Sequence, residues 1–209
     1  MCASYGLDPR AGDFKHFARA GDEVMVESIQ QWAEKNAREV VKPTGVNMRN
    51  LNPIIREHAH DGAVERRAEL AWWKLWVGGA PAKFPAINAR VESLMGSGAW
   101  SGPLKARRAL VPVTEYFEKG RSFAFGGQSF ALAGIYNVAK FEDNWMLSYA
   151  IITQPAAPHV AEIHDRMPLI VPADFYDDWL DPALVGDQGL LDAVVAHARP
   201  LAESIGVSA

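Results

Sequence analysis

Strand-length apolar runs recur along this chain, and no regular alternation of helix and strand connects them. Ala109 to Val113 is one such run, and Leu132 to Tyr136 and Met146 to Thr153 are two more. Phe123 to Phe125, then Gly126-Gly127, then Ser129 to Leu132 reads as a β-hairpin, because paired glycines supply the positive φ of a tight turn. Pro53 to Glu57, Leu70 to Val77 and Pro168 to Val171 add shorter strands. Residues 22–40 read as a helix, with Met25, Ile29 and Trp32 at helical spacing behind Asp22 and Glu23. Lys42-Pro43-Thr44-Gly45 ends it, and Gly78 to Pro81 reads as a turn. Further helical segments are expected at Ala89 to Met95, Pro158 to Ile163, Ala173 to Leu180 and Leu190 to Ala198. The mixture predicts an α+β fold with a mostly antiparallel, curved or barrel-like β core flanked by helices.

No Ser/Gly/Pro-rich linker divides the 209 residues, so one domain over 1–209 is expected, with the helices from about 173 packed on it. Hydrophobic residues make up 49% and charged residues 22%, the balance of a soluble globular protein. The net charge of −4 argues against a broad, non-specific nucleic-acid footprint but allows a compact site that grips a few phosphates. There is no membrane-length apolar run, and Met1 to Arg19 lacks the layout of a secretion signal. A single cysteine excludes an internal disulfide framework and fits a reducing, cytoplasmic setting. No metal site and no nucleotide cofactor are expected, since H-x-x-x-H, C-x-x-C, G-x-x-x-x-G-K-[ST] and G-x-G-x-x-G are all missing.

That cysteine, Cys2, directly follows Met1. Removal of Met1 would leave a free α-amine and a thiol on adjacent carbons. Such a 1,2-aminothiol condenses with an aldehyde to an imine, and the thiol then closes a five-membered thiazolidine. The ordinary pKa values, about 8 for the amine and about 8.5 for the thiol, leave both partly reactive near neutrality. A frayed terminus is the alternative reading of the same residue.

Three other segments carry polar groups that folding alone does not require. In Ile87-Asn88-Ala89-Arg90-Val91-Glu92, Asn88 could equally be a helix N-cap. In Arg107 to Glu118, two carboxylates three apart fall on opposite faces of a strand, so only one of Glu115 and Glu118 can point into a pocket. Glu115 reads as the solvated one, and Glu118, if buried, could act as a general acid or base. In Ile163-His164-Asp165-Arg166-Met167-Pro168, extended backbone puts His164 and Arg166 on one side, a pairing suited to an anion and a mobile proton.

In this order, the four segments resemble the SRAP family (SOS response-associated peptidase domain). Cys2, Trp72 to Trp76 (loosely), Asn88-Ala89-Arg90-Val91-Glu92, Arg107 to Glu118, Ile152-Thr153 and Ile163 to Pro168 match family motifs. Pro43-Thr44 resembles an early Pro-Thr segment. The resemblance implies a compact α+β fold with a barrel-like core. It also implies an autopeptidase that removes its own Met1 and then crosslinks Cys2 covalently to abasic sites in single-stranded DNA. By the same resemblance Cys2 is the nucleophile, Asn88 orients the amine or sugar, and Glu118 and His164 move protons. Arg90, Thr153 and Arg166 would hold phosphates, and Arg107, Arg108, Pro43 and Trp73 would add DNA contacts. The expected partner is single-stranded DNA, bound by a monomer.

The chain departs from the family pattern at Ala3-Ser4 (usually Gly-Arg), Glu115 (Gly), Lys119 (Trp) and Trp73-Lys74-Leu75-Trp76 (Trp-Gly-Leu-Ile-Pro). Two other readings use the same residues. One is an N-terminal-nucleophile hydrolase acting on peptides or amides through Cys2, His164 and Glu118. The other is a non-catalytic single-stranded DNA-binding module.

Overall fold

The computed structural model describes residues 2–10, 13–37, 40–43 and 51–208. The chain enters on a short strand, β1 (Ser4–Gly6), and α1 (Glu23–Lys35) follows. Strands β2 (Leu51–His60) and β3 (Ala63–Trp73) form a long hairpin. Its turn falls at Asp61-Gly62, both with positive φ (49° and 81°), the turn type that matches strand twist. A miniature hairpin, β4 (Trp76–Val77) and β5 (Ala80–Pro81), leads to β6 (Asn88–Arg90) and α2 (Ser101–Ala106). Then come β7 (Arg108–Val113) and the hairpin of β8 (Glu115–Glu118) with β9 (Arg121–Ala124). The two longest strands, β10 (Phe130–Phe141) and β11 (Asn144–Pro155), pair with each other. The chain closes through α3 (Pro158–Ala161), β12 (Arg166–Pro168), β13 (Ile170–Val171), α4 (Tyr176–Leu180), α5 (Gln188–Ser204) and β14 (Gly206–Ser208).

Five strands close into a barrel in the order β11-β3-β2-β7-β10, with β10 returning to β11. Every neighbour pair in the ring is antiparallel except β3 with β11, where Ala71 lies opposite Leu147 and Trp73 opposite Tyr149. Side chains alternate across each strand. Ile54, Trp73, Val111, Leu132, Tyr149 and Ile151 point one way and meet in a cluster drawn from all five strands, which is the barrel interior. Ile55, Leu110, Ala133, Ala150 and Ile152 point outward and pack on Met25 and Ile29 of α1, Trp179 of α4 and Leu191 and Val194 of α5. Along β7 and the middle of β10 and β11 both faces of the barrel wall are thus buried, which is why these strands read as near-continuous apolar runs, whereas β2 and β3 are exposed and polar toward their shared turn. Trp179 is fully buried and donates from Nε1 to the Ala109 carbonyl at 3.0 Å. Its truncation to Ala would cost about 3–5 kcal/mol.

A second sheet, β1-β8-β9-β14, lies beside the barrel. Through it the start of the chain is held in place: Tyr5 sits opposite Tyr116, and both join the barrel-interior cluster. Tyr5 also bridges to Val41.

The α+β class and the barrel-like core are as the sequence predicts, but several local elements differ. The glycines Gly126-Gly127 join strands of two different sheets, with only the Phe125–Gln128 bridge between them, because β9 pairs with β8 and β14 while β10 pairs within the barrel. Asn88 to Arg90 is a strand, drawn into register with β11 ahead of a single 3-10 turn, where a helix over Ala89 to Met95 is expected. The first helix stops at Lys35, since the Asn36 side chain caps the Trp32 carbonyl at 2.7 Å; Arg38 and Glu39 lie outside the described residues. The aromatic strand breaks at Lys74-Leu75, and the Pro168 to Val171 strand breaks at Leu169.

Candidate active site around Cys2

Cys2 is buried, at 1% exposure, in the barrel-interior cluster. Its main-chain carbonyl accepts a hydrogen bond from Asn88 Nδ2 at 2.7 Å. Its Sγ lies 3.7 Å from the Ser4 carbonyl, the contact of a weak S–H donor. Burial pushes the thiol up to about 12, and the nearby Glu118 charge adds to that rise. Near neutrality Cys2 is therefore a protonated thiol, and a base must take its proton before sulfur can attack.

Asn88 reaches Cys2 because β6 runs parallel to β11 with Asn88 opposite Ile151, an inward position. Its neighbour Ala89 faces the helices. The amide nitrogen is used on Cys2, whereas the buried Oδ1 has no partner among the described residues. The side chain does not cap a helix.

Glu118 ends β8, and its carboxylate lies 3.9 Å from His164 Nε2, with both side chains mostly buried. His164 follows α3, and its Nδ1 faces two groups: the Arg166 main-chain N–H at 3.0 Å and Asp165 Oδ1 at 2.9 Å. A neutral ring that accepts from the Arg166 N–H carries its proton on Nε2, toward Glu118. A protonated ring donates Nδ1–H to Asp165 and gives up the Arg166 N–H. Both charge states have partners, as a proton carrier requires. Beneath Cys2 a polar chain runs into the barrel. The Tyr5 and Tyr149 hydroxyls lie 2.8 Å apart, and Asn52 Nδ2 donates to the Tyr149 oxygen at 3.1 Å. Burial raises both phenols well above their ordinary range, so they remain neutral.

The four residues that the sequence picks out for chemistry therefore meet, although they span the chain from position 2 to position 164. They assemble a thiol, an amide donor and a carboxylate–imidazole pair. Among the described residues no group of three or more His, Cys, Asp or Glu side chains is placed to hold a metal. A large cavity, about 770 Å³, lies between Phe14 and α1 and is lined by none of these four.

The model of the family described as SOS response associated peptidase (SRAP) matches residues 1–208. The chain belongs to the SRAP family. It is 29% identical over 140 residues to the abasic site processing protein YoaM of Bacillus subtilis, covering 59% of this chain and 60% of that protein. It is 28% identical over 109 residues to the abasic site processing protein YMR114C of Saccharomyces cerevisiae, covering 47% of this chain and 29% of that protein. The chain spans about three fifths of the length of the bacterial relatives it matches. Its fold is similar to that of a crystallised protein from Bacteroides thetaiotaomicron (TM-score 0.67, 22% identity, 93% of this chain and 86% of that one). It is also similar to a crystallised phage-related protein from Bordetella bronchiseptica (TM-score 0.64, 16% identity, 99% of this chain and 93% of that one).

The SRAP resemblance assigns DNA contacts that this chain's side chains fulfil unevenly. Arg90, beside Thr153 in the β6–β11 pairing, is exposed. Arg108 is not available: it is buried, and its five N–H groups donate to the carbonyls of Trp179, Leu104, Lys105, Asp181 and Leu184 at 2.7–3.1 Å. Trp73 is fully buried as well. Its ring lies against Tyr5 and Tyr149 and its Nε1 donates to the Ile87 carbonyl, so no face is open to stack on a base. Arg107 is half-buried and turns its Nε to the Tyr136 carbonyl and Asn137 Oδ1. Arg166 meets His164 through its main-chain N–H, which donates to Nδ1 of the ring. Its guanidinium grips both Glu92 oxygens, at 2.6 and 3.0 Å, and the Thr153 carbonyl at 2.6 Å. Thr153 is buried within that network. Pro43 is half-buried, and Thr44 lies outside the described residues. Glu115 is not a solvated strand end, since it accepts from the Ser122 hydroxyl and packs on Gly6.

Sequence reasoning passed over Tyr116, Tyr5, Tyr149 and Asn52. One signal was available for the first: in a strand, a residue two before Glu118 shares its face.

Proposed function

We propose that this SRAP protein captures abasic sites in single-stranded DNA through Cys2, after removal of Met1 by its own site. The observation that carries this reading is the convergence on one buried thiol of an amide donor, Asn88, and a carboxylate–imidazole pair, Glu118 and His164. The relatives that bear the name abasic site processing protein support the substrate class.

The chemistry needs what these residues offer. An abasic deoxyribose equilibrates with its open-chain aldehyde. The Cys2 amine adds to the aldehyde carbon, giving a carbinolamine. Loss of that hydroxyl as water leaves an imine, and the sulfur then adds to the imine carbon while the thiol proton passes to nitrogen. The sum is amine, thiol and aldehyde giving thiazolidine and one water, with no oxidant or cofactor. Three steps move protons: ring opening, water loss and thiol deprotonation. The Glu118 carboxylate acts electrostatically on the Cys2 thiol and lies 3.9 Å from His164, and this pair would give and take them. Because burial keeps the thiol protonated, a base beside it is required rather than optional. Asn88 fixes the Cys2 main chain, so amine and sulfur start from one geometry. Removal of Met1 uses the same groups: the thiol adds to the carbonyl of residue 1, the Met1–Cys2 amide bond breaks as its nitrogen takes a proton, and one water hydrolyses the resulting thioester, releasing methionine and restoring the thiol.

Incubation with an oligonucleotide carrying one abasic site tests the reading. A covalent band on a denaturing gel is expected, together with an intact mass equal to protein without Met1 plus DNA less one water. Cys2→Ala should abolish both. Turnover of peptide amides with no DNA adduct would replace this reading with the hydrolase, and reversible DNA binding that survives Cys2→Ala would replace it with the binding module.

A further inference from the structure

Tyr116 stands in the Cys2 site with its hydroxyl unspent. It is 1% exposed, and none of the described residues hydrogen-bonds its oxygen. Leaving a buried hydroxyl unsatisfied costs stability, so such a group in a folded protein calls for an explanation. The ring itself is firmly held. It stacks on Phe123 with centroids 4.7 Å apart and planes 2° from parallel, and Tyr5 lies opposite it across the β1–β8 pair. Two residues on, Glu118 shares its face of β8. The phenol lies within electrostatic range of both the Cys2 sulfur and the Glu118 carboxylate. Asn88 Oδ1, across Cys2, is a second buried polar atom with no partner among the described residues. The two residues that carry these atoms thus flank Cys2, Asn88 through its bond to the Cys2 carbonyl and Tyr116 in the same buried cluster as the thiol.

We infer that the Tyr116 hydroxyl donates a hydrogen bond to the sugar-derived oxygen that leaves when the Cys2 amine and an aldehyde condense. This deepens the proposed crosslinking reaction and rests on it. In the carbinolamine that oxygen is a hydroxyl on the former aldehyde carbon. It departs as water, taking its second proton from the Glu118–His164 pair, while Tyr116 holds it and keeps its own proton. Burial drives the phenol far above its ordinary pKa, so it remains a donor and does not act as a base. A neutral donor in a dry site stabilises charge as it develops, and the stabilisation is greatest at the step where the oxygen leaves.

Tyr116→Phe removes only the oxygen and keeps the ring stack. The rate of covalent capture at saturating abasic oligonucleotide should fall by about tenfold or more. Affinity for an oligonucleotide bearing a tetrahydrofuran site, which has no aldehyde, should not change. The melting temperature should be equal or higher, since an unsatisfied buried hydroxyl is removed. A residue that merely supports the fold would give the opposite pair: lower melting temperature, unchanged capture rate per folded molecule. Wild-type capture with an unaltered rate and pH profile in Tyr116→Phe overturns this inference alone. Absence of capture by the wild-type protein overturns the proposed function beneath it.

Discussion

The Asn88 side chain donates to the Cys2 carbonyl at 2.7 Å, and this contact across 86 positions of sequence docks the start of the chain against the barrel. β1 is three residues long; among the described residues it pairs with β8 and Val41, and its Gly6 carbonyl accepts from the Thr114 N–H. Asn88 therefore sets where residue 2 sits, not only that the terminus is held.

Asn88→Ala removes the donor and leaves a buried carbonyl unsatisfied, which should cost about 1–3 kcal/mol. Asn88→Asp should be worse at neutral pH, because it turns an oxygen with negative charge toward the Cys2 carbonyl. Hydrogen exchange is the discriminating measurement. Protection of residues 3–6 should drop well before that of β10 and β11 in both variants. Equal protection in wild type and Asn88→Ala would mean that β1 needs no help from β6.

Arg108 makes a different kind of prediction. Its N–H groups end on carbonyls in the last turns of α2 and α4 and, at Asp181 and Leu184, in the loop after α4. A lysine has three donors and no fork to reach five acceptors. Arg108→Lys should lower stability by about 2 kcal/mol or more, and Arg108→Met by more again, read as a shift in the urea midpoint. The DNA-binding salt dependence of the folded variant should equal that of wild type, because this guanidinium touches no phosphate.

How much of this could be read in the sequence depended on whether a residue's environment is local. α1 follows from neighbours, as does the apolar character of β7, β10 and β11; the Asp61-Gly62 turn is equally local, but the sequence reading passes over it and starts the second strand only at Leu70. The strand at Asn88 to Arg90 does not: its backbone bonds come from β11, more than sixty residues away, and these outweigh a sequence that also suits a helix start. Arg108 and Trp73 fail as DNA contacts for a related reason. In a barrel clad with helices both faces of a strand are interior, so an arginine or tryptophan beside a functional motif can be spent wholly on the fold. The meeting of Cys2, Asn88, Glu118 and His164 was signalled by the order of the motifs in a family resemblance. No periodicity in the chain encodes it.

Alkaline pH should destabilise the protein in two stages. The folded-state pKa of Cys2 rises to about 12, and those of Tyr5, Tyr116, Tyr149 and Tyr176 also rise, all chiefly through burial. The folded state therefore holds protons that the unfolded chain releases, near pH 8.5 for the thiol and near 10 for phenols. The stabilisation is complete below those values and is lost as pH climbs toward the folded pKa values. The urea midpoint should fall gently from about pH 8.5 and steeply above about 10. Cys2→Ala should remove the gentle part only. A midpoint flat to pH 11 would contradict the burial of these groups.

Glu92 holds Arg166 in a bidentate grip, and with the Thr153 carbonyl it occupies both terminal nitrogens of the guanidinium. Glu92 is half-exposed while Arg166 is nearly covered, so the acid is the movable member. The arginine draws the Glu92 carboxyl below its ordinary range, so the pair is ionised throughout neutral pH. Glu92→Gln keeps one acceptor oxygen for the guanidinium and the Thr153 carbonyl contact, but removes a negative charge beside exposed Arg90. The stability cost should be small, up to about 1 kcal/mol, because one partner is solvated. Affinity for single-stranded DNA should rise, and the plot of log affinity against log salt should steepen by close to one phosphate's worth. Weaker binding in Glu92→Gln would mean that the carboxylate does not compete with DNA for Arg166.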